Sequence, residues 1–445
     1  MATKIEVAPL TGLRFVAAFC VLVEHTIFWC APFNDSRLFS SVASFFSLYG
    51  MTLFFVLSGF VIHYNYASLF RDQPYSAAAR DFLSARFARI YPLFICFWLF
   101  GAVGDFTVDW IHYAPREFLS YVAHSVTLTQ SWVYKIVVDH RVLWNNGFGL
   151  AWSLSCEFFF YLAYAVFVFA ILPIRRPLAG FVVLAVFSGA VIGVLTLAHL
   201  NMDRVMSFAH AHLNNYISVV EDHDNSFYRW LFYTSPYVRV WEFVLGCLTA
   251  QLFLLMQDRT TSKTEYAWGN VVLYVALCLL LSYGIVFTMH VDSTFIRLLA
   301  KFFALNFGCA VPIAAVIFCT ARYRTPLAAF LSLPWIVWLG DISYSIYAVH
   351  TWTLRPLIRG PVALNYIYGT EAIVRVALGF AFTIIVASAT YAIIEVPCRR
   401  YLRAKLMRPP RRANDEQGHV PAAEGAPGVA ARSHSDQQSA EVPLA

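Results

Sequence analysis

The amino-acid sequence predicts an all-α integral membrane protein of about ten transmembrane helices with both termini in the cytoplasm. Composition is the first reason: 59% of the 445 residues are hydrophobic, 13% are charged and the mean hydropathy is +0.61, which is too apolar for a soluble domain of this length. The second is that the apolar residues fall into runs of about twenty, the length of helix that crosses roughly 30 Å of hydrocarbon. The third is that the arginines and lysines between those runs alternate, one set of connections being basic and the other acidic or neutral.

In order, the first run (near 10–31) contains TGLRFVAAFCVLVEHT, with Arg14 at its start and Glu24 and His25 towards its end. The second (45–66) carries GMTLFFVLSGF and leads into Arg71, Arg80, Arg86 and Arg89, which precede the third (89–108). The fourth (150–172) and fifth (178–199) flank Arg175 and Arg176, and the sixth (236–257) and seventh (268–289) flank Arg259 and Lys263. The eighth (299–320) ends at Arg322 and Arg324. The ninth (333–352) and tenth (373–395) follow, and then Arg399, Arg400, Arg403, Lys405, Arg408, Arg411 and Arg412. The opposite connections carry Asp109, Glu117, Asp139, Asp203, Glu221, Asp222 and Asp224, so the positive-inside rule puts both ends in the cytoplasm.

Two outer segments, 109–149 and 200–235, are long and rich in His, Asn, Tyr and Trp, and serve either a function or a plain interfacial cap. One membrane domain spans 1–407. The segment 408–445 changes to a Pro-, Ala- and Gly-rich polar composition and is expected to be a disordered cytoplasmic tail. The net charge of +6 is dispersed over loop ends and tail and forms no stripe for nucleic acid. The nine cysteines form no CxxC pair or metal-ligand spacing, so neither disulfide nor metal is expected, and the first run lacks a basic leader and cleavage site and reads as an anchor.

Ionisable groups inside an apolar helix are costly and mark candidate sites. Arg14 and His25 are eleven positions apart, which at 100° per residue brings them within roughly 20° of one face and about 16 Å apart along the axis. Glu24 lies about 100° away on the same helix.

Several motifs follow in order: GMTLFFVLSGF (50–60), RFARIYP (86–92), WSLSCE (152–157), GDISYSIYAVH (340–350) and Glu395-Val-Pro397. With Arg14 and His25 they resemble the acyltransferase 3 family, multi-pass bacterial membrane proteins that O-acylate carbohydrates and related acceptors. The resemblance runs from about 8 to 400. It implies a bacterial inner-membrane acyltransferase with acyl-coenzyme A, most simply acetyl-coenzyme A, as co-substrate, a carbohydrate or glycolipid acceptor, and no permanently bound cofactor.

The residues support such chemistry. A hydroxyl attacking a thioester must lose a proton, and a histidine suits that task at neutral pH, so His25 is the candidate general base and Arg14 its partner in the site. Arg86 and Arg89 are candidate phosphate contacts for acyl-coenzyme A, or else headgroup anchors. Ser58 is a candidate hydrogen-bond donor on the donor side, with Gly59 a packing residue. Glu157, Trp152 and Ser153, at the outer end of the fourth span, are candidate acceptor contacts, with an aromatic-belt role open for Trp152. Ser343, Tyr344, Tyr347 and His350 share one helical face by their 3–4 spacing, and Tyr344 and His350 join the acceptor set. His63 receives no role. No GxSxG elbow suggests an acyl-enzyme. The competing class is a transporter or flippase of an anionic or glycan solute, against which stand the lack of a repeat between the two halves and of a short pair of broken helices.

Overall fold

The computed structural model describes residues 7–29, 37–106, 115–136, 143, 150–213, 225–288, 306–359 and 370–407. Among these residues there is no β-strand, and eight helices are long and apolar enough to cross a membrane. In chain order the helices are α1 (Ala8–Trp29), α2 (Arg37–Asp72), α3 (Tyr75–Phe106), α4 (Pro115–Val126), α5 (Ala151–Ile171), α6 (Pro177–Leu200), α7 (Met202–His212), α8 (Pro236–Met256), α9 (Lys263–Thr288), α10 (Ala310–Arg322), α11 (Pro326–Leu331), α12 (Pro334–Asp341), α13 (Ser343–Arg359), α14 (Thr370–Thr390) and α15 (Val396–Leu406). Single-turn π-helical stretches, Trp230–Thr234 and Tyr391–Glu395, precede α8 and α15.

The arrangement is built around α2, which packs along both α1 and α8; α1 also meets α12 and α13, and α8 meets α5, α6 and α10. Between lipid-solvated helices the apolar driving force is weak, so close approach through small residues and packing carries the association. At the crossing of α2 and α8, a Cβ on Gly59 would run into the carbonyl oxygen of Phe243, and one on Gly246 into that of Val56. Gly59 is thus a packing residue. By contrast α6 and α9 bury only 22% of their apolar windows and turn their remaining faces outward.

The structure differs from the sequence reading in three places. The expected ninth span is two helices, α12 and α13, because the chain leaves helical geometry at Ile342 (φ −86°, ψ 4°). Only α10, 13 residues long, covers the expected eighth span, and residues 299–305 lie outside the described residues. Finally, Arg86 and Arg89 do not precede a span but lie within α3, which begins at Tyr75 and continues through Pro92. Much of the two long outer segments and all of 408–445 also lie outside the described residues. The described parts of the outer segments meet, with Tyr134 donating to the Asn225 carbonyl (3.0 Å) and the Trp230 indole to the Ser131 carbonyl (3.0 Å).

Candidate active site

A cavity with about 800 Å³ of empty space, part of it open to the surroundings, lies where α1, α2, α3, α5 and α13 converge. Its polar lining is Arg14 from α1, Ser58 from α2, Arg86 and Arg89 from α3, Ser153, Glu157 and Tyr161 from α5, and Ser343, Tyr344 and Tyr347 from α13. Phe54, Phe55 and Leu57 contribute apolar wall. Most of the candidate residues read from the sequence therefore meet in one place.

Within the cavity the groups are tied to one another. Ser58 Oγ donates to Glu157 Oε1 (2.8 Å), so the serine assigned to the donor side and the carboxylate assigned to the acceptor side form one hydrogen-bonded unit. α2 and α5 bring the two side chains to the same depth, so a ligand on either side of the cavity meets them as a pair. Arg86 Nη2 donates to the Tyr66 hydroxyl (2.7 Å), and the guanidinium lies 4.8 Å over the Tyr66 ring and 5.9 Å from the Tyr161 ring. Its Nε is buried and has no hydrogen-bond partner among the described residues. Tyr344 donates to the Ile90 carbonyl (2.7 Å), joining α13 to α3 beside Arg89.

Trp152 does not line the cavity. It is packed behind it, against the rings of Phe55 (6.1 Å) and Tyr233 (5.0 Å). Neither an interfacial belt nor a direct sugar contact describes that buried position. Ser153 shares a hydrogen bond with the Tyr347 hydroxyl (2.7 Å), which also donates to the Leu150 carbonyl (3.1 Å).

The face of α1 that carries Arg14 and His25 turns towards α13 along its length. Arg14 reaches the cavity, whereas His25 is one helical turn of α13 beyond Tyr347 and is not among the lining residues. There His25 Nδ1 is 3.0 Å from His350 Nε2, the two rings meeting end-on and nearly parallel (22° between their planes) with centroids 5.1 Å apart. His350 Nδ1 lies 2.8 Å from the Tyr347 carbonyl oxygen. Glu24 Oε2 is 3.9 Å from His25 Nε2, and the side chains of His25 and Glu24 retain 23% and 28% exposure. His350, placed among the acceptor contacts by sequence, instead touches the candidate base, since the i+3 step from Tyr347 carries it past the cavity.

Two buried groups escaped the sequence reading. Glu395, in the π-helical turn before α15, is 2% exposed, accepts from Ser345 Oγ (2.9 Å) and faces Arg399 (3.8 Å). The Glu-Val-Pro motif marked it without indicating a role. Arg239 and Glu242, almost wholly buried on α8, form an ion pair (2.8 Å) completed by Thr52 Oγ1 (3.0 Å) and the Tyr233 carbonyl. Their 3-residue spacing was the available signal. His63, which received no role, is buried between Gln251 (2.8 Å) and Tyr164 (3.2 Å), away from the cavity. Among the described residues no cluster of three or more His, Cys, Asp or Glu could hold a metal ion.

The chain itself matches a known group of enzymes: the family model described as an acyltransferase domain, acyltransferase 3, fits residues 8–392. The chain belongs to the acyltransferase 3 family. It is also 26% identical over 431 residues to Acyltransferase MdmB of Streptomyces mycarofaciens, covering 93% of this chain and 97% of the relative. No solved structure matches it. The protein is thus a multi-pass membrane acyltransferase of the non-aminoacyl kind, whose reaction brings an acyl donor and an acceptor together at the bilayer.

Proposed function

We propose that this member of the family transfers an acyl group of acetyl type from cytoplasmic acyl-coenzyme A to a hydroxyl of a carbohydrate-type acceptor in the bacterial inner membrane, with His25 as general base. The observation that carries the reading is the cavity itself: three guanidinium groups, Arg14, Arg86 and Arg89, face one space with a single lining carboxylate, Glu157. An excess of arginine forks in a low-dielectric site suits a ligand with several phosphate oxygens, and the buried, unpartnered Arg86 Nε is a donor that such a ligand would satisfy. The phosphates of the donor would lie against these arginines and its acyl arm would extend past Tyr347 towards His25. There the acceptor hydroxyl gives its proton to the imidazole as its oxygen bonds to the acyl carbon. The carbon–sulfur bond breaks, and the coenzyme A thiolate leaves and takes up a proton. Ser153 and Tyr344 supply hydroxyls for the acceptor side.

The test is turnover by the purified protein in lipid nanodiscs with labelled acetyl-coenzyme A and a membrane glycan fraction. Free coenzyme A should appear only with acceptor, and His25→Ala should lower the rate by roughly 10²–10⁴, the contribution of a general base, at unchanged folded yield. Wild-type turnover by His25→Ala would remove the base assignment, and label transfer from another donor with acetyl-coenzyme A untouched would remove the donor.

A further inference from the structure

We propose that His350 is a positioning residue that holds the His25 ring in the tautomer with its proton on Nδ1 and its lone pair on Nε2. The proposal deepens the reading of His25 as base and rests on it.

The chain of contacts sets the protons. The Tyr347 carbonyl oxygen accepts only, so the His350 nitrogen 2.8 Å from it, Nδ1, carries a hydrogen. With one proton on its ring, His350 then presents a lone pair at Nε2. That lone pair faces His25 Nδ1 at 3.0 Å, and the contact is a hydrogen bond only if His25 Nδ1 carries the proton. The opposite tautomer would set two lone pairs against each other at that distance. The basic nitrogen of His25 is therefore Nε2, on the side away from His350.

Glu24 Oε2 is 3.9 Å from Nε2, so the positive charge that develops as His25 takes a proton arises beside a carboxylate. His350 is 1% exposed and reached through a residue of the same helix that also lines the cavity, so its ring is held by α13 and not by solvent. A base oriented by a second group through its other nitrogen is a recurring device in acyl transfer, where the orienting group acts on tautomer and ring angle and never touches substrate.

The experiment combines ¹⁵N-histidine solid-state NMR of the full chain in lipid, with the His25 signals assigned by their loss in His25→Ala, and steady-state kinetics with acetyl-coenzyme A. In the wild type, His25 should show a protonated Nδ1 and an unprotonated Nε2. His350→Ala should give a mixture of tautomers and lower kcat by roughly 10- to 100-fold, less than the roughly 10²–10⁴ a general base supplies, with KM for acetyl-coenzyme A little changed. His350→Gln, whose Oε1 restores an acceptor, should recover most of the rate. A wild-type His25 protonated at Nε2, or wild-type kcat in His350→Ala, would overturn the proposal while an inactive His25→Ala left the base assignment standing. An active His25→Ala would remove both.

Discussion

At the scale of single residues, Arg86 shows why identity matters more than charge. Its guanidinium is stacked over Tyr66, bonded to the Tyr66 hydroxyl and left with a buried Nε that nothing among the described residues satisfies. A lysine would keep the charge but lose the planar fork and the stacking. Arg86→Lys should therefore raise KM for acyl-coenzyme A by about 10- to 100-fold, the equivalent of one charge-assisted hydrogen bond of about 1.5–3 kcal/mol, with a smaller change in kcat. An unchanged KM would separate Arg86 from donor binding. The Arg239–Glu242 pair makes a different prediction. Glu242→Ala leaves a buried guanidinium uncompensated and should destabilise the protein by about 3–5 kcal/mol, while replacing both residues by apolar ones costs less; thermal unfolding in detergent of the single and double variants measures the difference. The individual candidates were legible in the sequence because a charge in an apolar run has few explanations. Their partners were not. Ser58 meets Glu157 across 99 positions and His25 meets His350 across 325, and helical periodicity says which face a residue occupies, not which helix will face it.

At the scale of elements, the α2–α8 crossing is a backbone-to-backbone contact. Gly59→Ala or Gly246→Ala forces a methyl group into an opposing carbonyl, which cannot move without moving its helix. Both variants should lower the melting temperature and the folded yield. Gly189 and Gly193 on α6 have nothing within 4 Å of where a Cβ would stand, so alanine there should be neutral, or stabilising by up to the roughly 1 kcal/mol that glycine costs a helix. Equal losses at all four positions would refute the crossing as the cause. Apolar length made the long helices legible, since each of the eight overlaps an expected span, though the third begins at Tyr75, 14 residues before the expected 89. The break at Ile342 was hidden because GDISYSIY has no proline, and the interruption comes from packing: Gly340 is pressed against the Thr11 carbonyl of α1, and α13 sets out afresh from Ser343.

At the scale of the whole molecule, the basic connections gather at one end of the bundle. Phe169, near the end of α5, contacts Phe70 and Tyr75 at the α2–α3 connection. Ile174, in the α5–α6 connection, accepts from Gln251 near the end of α8 (2.7 Å). Arg322 closes the α8–α9 connection by donating to the carbonyls of Gln257 and Arg259 and pairing with Glu265. The start of α1 joins this end, since Gly12 abuts the Leu331 carbonyl. Arg71, Arg175, Arg176, Arg259, Lys263, Arg322 and Arg324 thus belong to one surface, which is what the positive-inside rule requires of a cytoplasmic face. The opposite end is tied by Gln130 to Ala151 and by Trp230 to Ser131, and Asn306 donates there to the Phe232 carbonyl. From that end the segment 306–322 returns to the basic one, α10 covering about 20 Å of the path with its 13 residues. Reporter fusions at 175, at 260 and after 407 should all report the cytoplasm, and an insertion between 202 and 212 should report the far side. A fusion at 175 on the opposite side from one at 260 would break the shared basic surface, and with it the expectation that the arginine cavity is loaded from the compartment where acyl-coenzyme A is made.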